Sequence, residues 1–148
     1  MRVSSKGRYA LAAVIQIARD GSNGDSISLN DIAGALGISK LYLEQVFTQL
    51  KKRNIIVSVK GAKGGYKFTV PPSRLTAWEV IESVESTIAE SAEATVAGKA
   101  PDIEMALVSK VFSPLDAAIK TMLESVSVQD LLDAANGQLI DQSYMLNM

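Results

Sequence analysis

Hydrophobic residues recur every three or four positions in two stretches near the start of the chain, a spacing that predicts amphipathic helices. The first helix is predicted over residues 5–19, ahead of a segment rich in glycine and asparagine. The second is predicted to begin at Ser28, because Asp31 three residues later resembles the partner in a capping box. Gly37 suits the left-handed backbone that ends a helix, so a tight turn is expected there.

A third helix is predicted directly after this turn. Ser39 is its expected cap, and the apolar repeat continues to about Arg53. Two short helices across a glycine turn are typical of a helix-turn-helix, whose second helix lies in a DNA groove. The residues predicted to face inward are Leu43, Val46, Phe47 and Leu50.

The pattern then changes to a period of two, over residues 55–60 and 66–70, on either side of the sequence KGAKGG. This alternation predicts a β-hairpin with a glycine-rich tip, which after a helix-turn-helix is expected to be a wing. A glycine-rich loop can also cradle a nucleotide phosphate. That alternative requires a Gly-Lys-Ser/Thr sequence opening a helix, and the chain has none at this position.

Helical patterns return after the hairpin. Thr76 and Glu79 resemble another capping box, whereas residues 86–100 lack apolar periodicity and predict a loop. A last helix is expected from Ser127 to Gly137.

Between that loop and the last helix lies a longer helix with an apolar stripe, beginning at Pro101. Pro114 interrupts the stripe and is predicted either to kink the helix or to restart it, with Ser113 as cap. The stripe either packs on its own domain or pairs with a second copy of the chain, and its length favours pairing. The stripe residues are Leu107, Val111, Leu115, Ile119 and Met122.

These elements predict a mostly α-helical fold with a small β-hairpin. Residues 1–72 are expected to form a winged helix-turn-helix domain, and residues 73–100 a connector of one helix and a loop. Residues 101–148 are expected to supply a dimerisation helix and a C-terminal tail.

Charge is divided unevenly between the two halves of the chain. Residues 1–70 carry a net charge of +7 and residues 71–148 a net charge of −8, which gives −1 overall. Because the basic half also contains the helix-turn-helix, the imbalance indicates a polyanionic partner. The alternative is a chance segregation of charges on two solvated faces.

The composition excludes several classes of site. The chain has no cysteine and no histidine, which excludes disulfides, thiolate or imidazole metal sites, and Cys or Ser-His catalysis. No cluster of carboxylates, lysines or tyrosines suggests another active site, so neither enzymatic activity nor a cofactor is expected. No apolar run approaches the roughly 20 residues that span a bilayer. Arg19 and Asp20 follow the first apolar stretch where a signal peptide needs small residues, so a cytoplasmic protein without a membrane partner is expected.

The first residues of the third helix are the predicted readers of base edges. Gln45 can pair with adenine, and Lys40 can reach guanine or a phosphate. Glu44 either accepts a hydrogen bond from cytosine or forms a salt bridge to Lys40, and Tyr42 either packs against the wing or bonds a phosphate. The predicted recognition set is Ser39, Lys40, Leu41, Tyr42, Glu44 and Gln45.

Other basic segments are predicted to hold the DNA backbone. The wing tip is expected to enter the minor groove or contact phosphates, and free backbone N–H groups at the start of the first helix favour phosphate binding. Lys51, Lys52 and Arg53 either add phosphate contacts or are simply solvated. The wing set is Lys60, Gly61, Lys63, Gly64, Gly65 and Tyr66, and the first-helix set is Ser4, Ser5, Lys6 and Arg8.

Three segments resemble a known family, the Rrf2 family of bacterial winged-helix transcription regulators. They read MRVSSKGRYALAAVIQIA, ISKLYLEQVFTQLKKRNIIVSVKGAKGGY and LTAWEVIESVE, and they span most of residues 1–85. The resemblance implies a homodimer in which a long C-terminal helix crosses between subunits. It also implies DNA contacts from the start of the third helix and from residues 60–66.

The chain departs from the family pattern in one respect. Several family members bind an iron–sulfur cluster through three cysteines in the region that matches residues 86–100, and this chain has no cysteine there. The resemblance therefore implies a regulator without cluster sensing. The effector, whether a regulatory protein or a small molecule, is not identified.

The predicted function is a dimeric, sequence-specific DNA-binding transcription regulator, with repression expected rather than activation. Two copies on half-sites of a palindromic operator, about 34 Å apart, would add affinity and specificity. The alternative is a winged-helix protein-interaction module that does not bind DNA.

Overall fold

The computed structural model describes residues 3–90 and 93–146, and it confirms a mostly helical fold with one hairpin. Within those ranges, no helix is long and apolar enough to cross a membrane. The helices are α1 (Ser5–Asp20), α2 (Leu29–Leu36), α3 (Lys40–Lys52), α4 (Ala77–Val84), α5 (Pro101–Leu107), α6 (Ser113–Glu124) and α7 (Val128–Leu146). The strands are β1 (Ile56–Val59) and β2 (Gly65–Phe68), and short 3₁₀ turns lie at Pro72–Arg74 and Ser86–Ala89.

The predicted turn of the helix-turn-helix is confirmed in its details. The Ser28 hydroxyl accepts a hydrogen bond from the Asp31 N–H at 3.1 Å, and the Ser39 hydroxyl accepts one from the Tyr42 N–H at 3.2 Å. Gly37 between the two helices has φ 66° and ψ 30°, the left-handed conformation that a side chain would strain. Local sequence thus sets where α2 ends and where α3 begins.

One hydrophobic core joins the winged helix to the last helix. α1 packs against α2, α3, α4 and α7. The Val128 N–H donates to the Leu75 carbonyl at 2.8 Å, and the Ala77 N–H donates to the Val126 carbonyl at 2.8 Å, which anchors the start of α7 beside α4. The largest fully buried side chains are those of Phe47, Ile17, Ile32, Leu43, Leu50, Ile56, Leu75 and Ile81.

The hairpin is antiparallel and is extended by one residue from another part of the chain. Ile56 lies opposite Phe68 and is buried, whereas Val57 is exposed. Ile27 exchanges two backbone hydrogen bonds with Tyr66, at 2.9 and 2.8 Å. A Cβ added at Gly65 would overlap the Ile27 carbonyl, so glycine is required here for close packing rather than for approach to a ligand.

Of the two alternatives for Pro114, a kink or a restart, the restart is not observed, because the helix runs unbroken over residues 101–124. Ser113 has helical φ and ψ of −64° and −46°, and its side chain makes no capping hydrogen bond. A π turn at Val108–Phe112 precedes the proline. The wider turn accommodates the missing N–H and the ring of Pro114 without ending the helix.

The predicted helix end at Gly137 is wrong, because α7 continues through this residue. Gly137 is not among the glycines with positive φ. A glycine inside a helix costs only about 1 kcal/mol, which flanking helical residues can offset.

Candidate DNA-binding surface

The start of α3 presents four predicted contact residues to solvent. Lys40, Leu41, Glu44 and Gln45 are exposed, and the Leu41 side chain has 69% of its surface accessible. The hydroxyl of Ser39 accepts the capping hydrogen bond. A helix can enter a major groove when its first residues are exposed and its opposite, apolar face is packed on the core.

The carboxylate of Glu44 is not paired with Lys40. Within residues 3–90 and 93–146, the only ion pair closer than 4.0 Å joins Arg53 to Glu82, at 3.5 Å. The salt bridge that competed with base reading is therefore absent, and Glu44 stays available as an acceptor. Arg53 instead connects the end of α3 to α4.

Tyr42 packs against Tyr9 of α1, a partner that the sequence did not suggest. Its ring meets the ring of Tyr9 edge to face, with centroids 5.2 Å apart and planes at 85°. This contact places the start of α1 beside the start of α3. Sequence reasoning missed Tyr9, whose position off the apolar face of an amphipathic helix was the available signal.

The wing contains an exposed tip and a half-buried base. Lys60, Gly61 and Lys63 are exposed. Tyr66 is half-buried, and its ring stacks edge to face on Phe47 with centroids 4.7 Å apart. The tip is held by Ser26, whose hydroxyl donates to the Lys63 carbonyl at 2.6 Å. Gly64 and Gly65 are also half-buried, so the exposed lysines rather than the whole wing set face solvent.

The first turn of α1 is exposed on one side and occupied on the other. Ser4, Ser5 and Arg8 are exposed, and Lys6 is half-buried. The Ser4 hydroxyl accepts from the Gly7 N–H at 3.3 Å, and the Ser4 N–H donates to the Glu85 carboxylate. Two of the backbone N–H groups expected to be free for phosphate are therefore already bonded.

The apolar stripe of the long helix lies largely open to solvent. Val111, Leu115 and Met122 are 48%, 41% and 59% exposed, whereas Leu107 and Ile119 are half-buried. α6 also packs on α4, where the Lys120 ammonium lies 5.6 Å from the centre of the Trp78 ring.

A buried carboxylate, that of Glu104, holds the connector before α5 in place. The two Glu104 oxygens accept hydrogen bonds from the N–H groups of Thr95 and Val96, at 2.8 and 3.0 Å. Glu104 is one of the few buried charged side chains in the described residues. It fixes the connector to the first turn of α5.

Comparison with known proteins agrees with this geometry. A family model described as Rrf2, iron-dependent transcriptional regulator, matches residues 3–134. The HTH-type transcriptional regulator IscR of Photorhabdus laumondii is 34% identical over 145 residues, covering 95% of this chain and 84% of that protein.

Solved structures show the same architecture. CymR, the global cysteine regulator of B. subtilis, superposes with a TM-score of 0.74 and 28% identity, covering 90% of this chain and 98% of that one. IscR of T. potens superposes with a TM-score of 0.72 and 27% identity, covering 91% of this chain and 88% of that one.

The iron in the family description finds no suitable ligands in this chain. Thiolate and imidazole ligands are absent from the sequence. In the parts of the chain that the structure describes, no three acidic side chains come together as a metal site would require. Glu104 lies next to the segment 86–100, where several family members have their cysteines, but its carboxylate accepts hydrogen bonds from the N–H groups of Thr95 and Val96. The residues therefore do not fit an iron cofactor.

Proposed function

The chain belongs to the Rrf2 family of transcriptional regulators, and from this premise we propose that it represses transcription as a homodimer on a palindromic operator. It is a DNA-binding transcription regulator and not an enzyme. The observation that carries the proposal is the exposed start of α3, held in place by a fully buried opposite face.

In this proposal α3 reads bases in the major groove. Gln45 can donate to and accept from adenine, and Glu44, which has no salt-bridge partner among the described residues, can accept from cytosine. Leu41 offers an exposed apolar contact for a thymine methyl group. Tyr42 supports the helix through Tyr9, so its role is to hold the reading side chains in position.

The wing tip and α1 hold the DNA backbone. Lys60 and Lys63 are exposed on the wing, and Arg8 is exposed on α1. Phosphate contacts of this kind set the register of a protein on the duplex, and base contacts set its specificity. α1 and the wing both pack against α3, through Tyr9 and Tyr66, which supports a single composite surface.

The open stripe of the long helix supports a dimer. A run of exposed apolar side chains on one helix marks a protein interface, because leaving it in water is unfavourable. A second copy of the same stripe would cover it symmetrically. Two winged helices would then address two half-sites, as a palindromic operator requires.

Repression is the expected effect when a dimer occupies promoter DNA. A dimer lying across a promoter excludes RNA polymerase without any further contact, whereas activation requires a surface that recruits the polymerase. DNA and a second copy account for the exposed features described above. Binding to bacterial promoter DNA also supports a cytoplasmic location.

The proposal is tested by selecting duplexes from a random library with the wild-type protein and measuring their affinity by fluorescence anisotropy across a salt series. We expect a specific palindromic sequence to be enriched. Its affinity should fall roughly a thousandfold or more between about 50 and 200 mM salt, as expected for six or more phosphate contacts. Failure to enrich any duplex, or binding that is insensitive to salt, would contradict the proposal.

A pair of substitutions separates base reading from backbone contact. Gln45→Ala is expected to lose about 1–3 kcal/mol of discrimination at one base pair in each half-site, because a bidentate contact to a base is removed. Lys63→Ala is expected to weaken binding to all sequences equally and to lower the salt slope by about one per subunit. Parallel titrations of the selected duplex and single-base variants distinguish the two effects. Identical profiles for the two variants would argue against the assigned roles.

A further inference from the structure

Glu85 is a buried carboxylate that contacts the end of α1 facing the proposed DNA surface. Only 8% of the residue is exposed, and its carboxylate accepts a hydrogen bond from the Ser4 N–H. Ser4 is the cap residue of α1. The positive end of the α1 dipole is thus partly satisfied by a side chain 81 residues further along the chain.

The packing around Gly7 shows how closely this carboxylate approaches the helix. A Cβ added at Gly7 would lie 3.0 Å from Glu85 Oε1 and 2.8 Å from Val3 Cγ1. Gly7 is in the third position of α1 and has a negative φ, so its backbone conformation does not require glycine. A side chain at position 7 would therefore crowd both the Val3 side chain and the Glu85 carboxylate.

The carboxylate and the proposed phosphate contacts differ in their access to solvent. Glu85 is buried, whereas the Ser5 and Arg8 side chains are exposed. The exposed side chains are therefore open to a phosphate, and the buried carboxylate bonds the cap residue of the same helix.

We propose that Glu85 is a positioning residue for DNA binding, which holds the first turn of α1 so that Ser5, Lys6 and Arg8 face a backbone phosphate. The inference rests on the proposed function and adds to it a residue that does not itself touch DNA. A charge-assisted hydrogen bond to a cap residue is stronger than a neutral one, which suits it to fix a helix end.

The location of Glu85 also connects this turn to the rest of the molecule. Glu85 lies between α4 and the 3₁₀ turn Ser86–Ala89, at the start of the connector. α4 in turn packs on α6 of the proposed dimer helix. Glu85 therefore joins the first turn of α1 to the end of the helix that packs on α6.

The experiment compares Glu85→Ala, Glu85→Gln and Gly7→Ala with the wild type on the duplex that the wild type selects from a random library. Glu85→Ala is expected to lower affinity about tenfold, the scale of one charge-assisted hydrogen bond. Glu85→Gln keeps an acceptor oxygen and is expected to lose less than Glu85→Ala. Gly7→Ala crowds the carboxylate without removing it. It should therefore also weaken binding, and it keeps the test decisive if Glu85→Ala does not fold.

A double-mutant cycle distinguishes positioning from a general loss of stability. If Glu85 positions Arg8, then Arg8→Ala should lose affinity in the wild type and lose clearly less in the Glu85→Ala background. If Glu85 only stabilised the fold, the Glu85→Ala molecules that are folded would still lose the full affinity when Arg8 is changed to Ala. Glu104→Gln is the matched control, since it alters a buried carboxylate of the connector that bonds Thr95 and Val96 rather than α1. The affinity of the Glu104→Gln variant for the selected duplex should stay within about twofold of the wild-type affinity.

Equal or tighter binding by both Glu85 variants would overturn the inference, because it would mean that the carboxylate is neutral or competes with phosphate. Additive effects of Glu85→Ala and Arg8→Ala would overturn it as well. Failure of the wild type to enrich any duplex would instead overturn the proposed function, so the two failures are distinguishable.

Discussion

Leu115→Glu is expected to convert the protein from a dimer to a monomer and to lower its affinity for a palindromic operator by at least about a hundredfold. Leu115 is 41% exposed within the open stripe, between Val111 and Met122. A glutamate there would place an unpaired charge in the proposed interface, which costs several kcal/mol on burial. A monomer also loses the effective concentration that couples two half-sites, and that coupling alone contributes about 10²–10⁴ in affinity.

Ala117→Glu is the matched control for this prediction. Ala117 is exposed on the same helix and lies two residues from Leu115, which is about 200° around the helix axis. It therefore receives the same charge on a different face and should remain a dimer. Sedimentation velocity gives the mass, and anisotropy on the selected duplex gives the affinity. A dimer that persists in Leu115→Glu would place the interface elsewhere.

Phe47→Ala is expected to lower the free energy of unfolding by about 3–5 kcal/mol, the usual cost of removing a buried aromatic ring. Phe47 is completely buried in α3, and its ring contacts that of Tyr66 on the wing. The substitution leaves a cavity at the point where α3, the core and the hairpin meet. Loss of the contact should also loosen the wing relative to the recognition helix.

Urea denaturation followed by circular dichroism measures this effect. Leu41→Ala is the control, because Leu41 lies on the same helix and has 69% of its surface exposed. Its unfolding free energy should change by less than about 0.5 kcal/mol. Amide hydrogen exchange of residues 56–68 should accelerate in Phe47→Ala and not in Leu41→Ala. If Phe47→Ala lowered the free energy of unfolding by less than about 1 kcal/mol, neighbouring side chains would have filled the cavity, contrary to the packing described.

The elements of the winged helix could be predicted because their signals are local. Ser28 and Ser39 cap helices within three residues of themselves, and Gly37 has the positive φ that its position predicted. The exposed side of α3 followed from the spacing of its apolar residues. Such features depend on interactions inside one or two turns, which a single sequence contains in full.

The wrong prediction at Gly137 and the open alternatives at Pro114 and Tyr42 concern choices that local sequence patterns do not determine. Whether Pro114 ends a helix depends on whether the preceding turn can widen, and here a π turn forms at Val108–Phe112. Whether Gly137 ends a helix depends on whether the residues on either side stabilise the helix by more than the roughly 1 kcal/mol that a glycine inside it costs. Tyr42 had two plausible partners, and the structure gives it a third, Tyr9.

The order of helices and strands, the basic character of the first half and the lack of thiolate and imidazole side chains were determined by the amino-acid sequence alone. Only the tertiary structure brought Glu85 to the first turn of α1, Tyr9 to Tyr42, and Ser26 to the wing tip. The physical reason is one of range. Capping and periodicity act between residues a few positions apart, whereas these contacts join distant segments whose approach is decided by how the whole core packs.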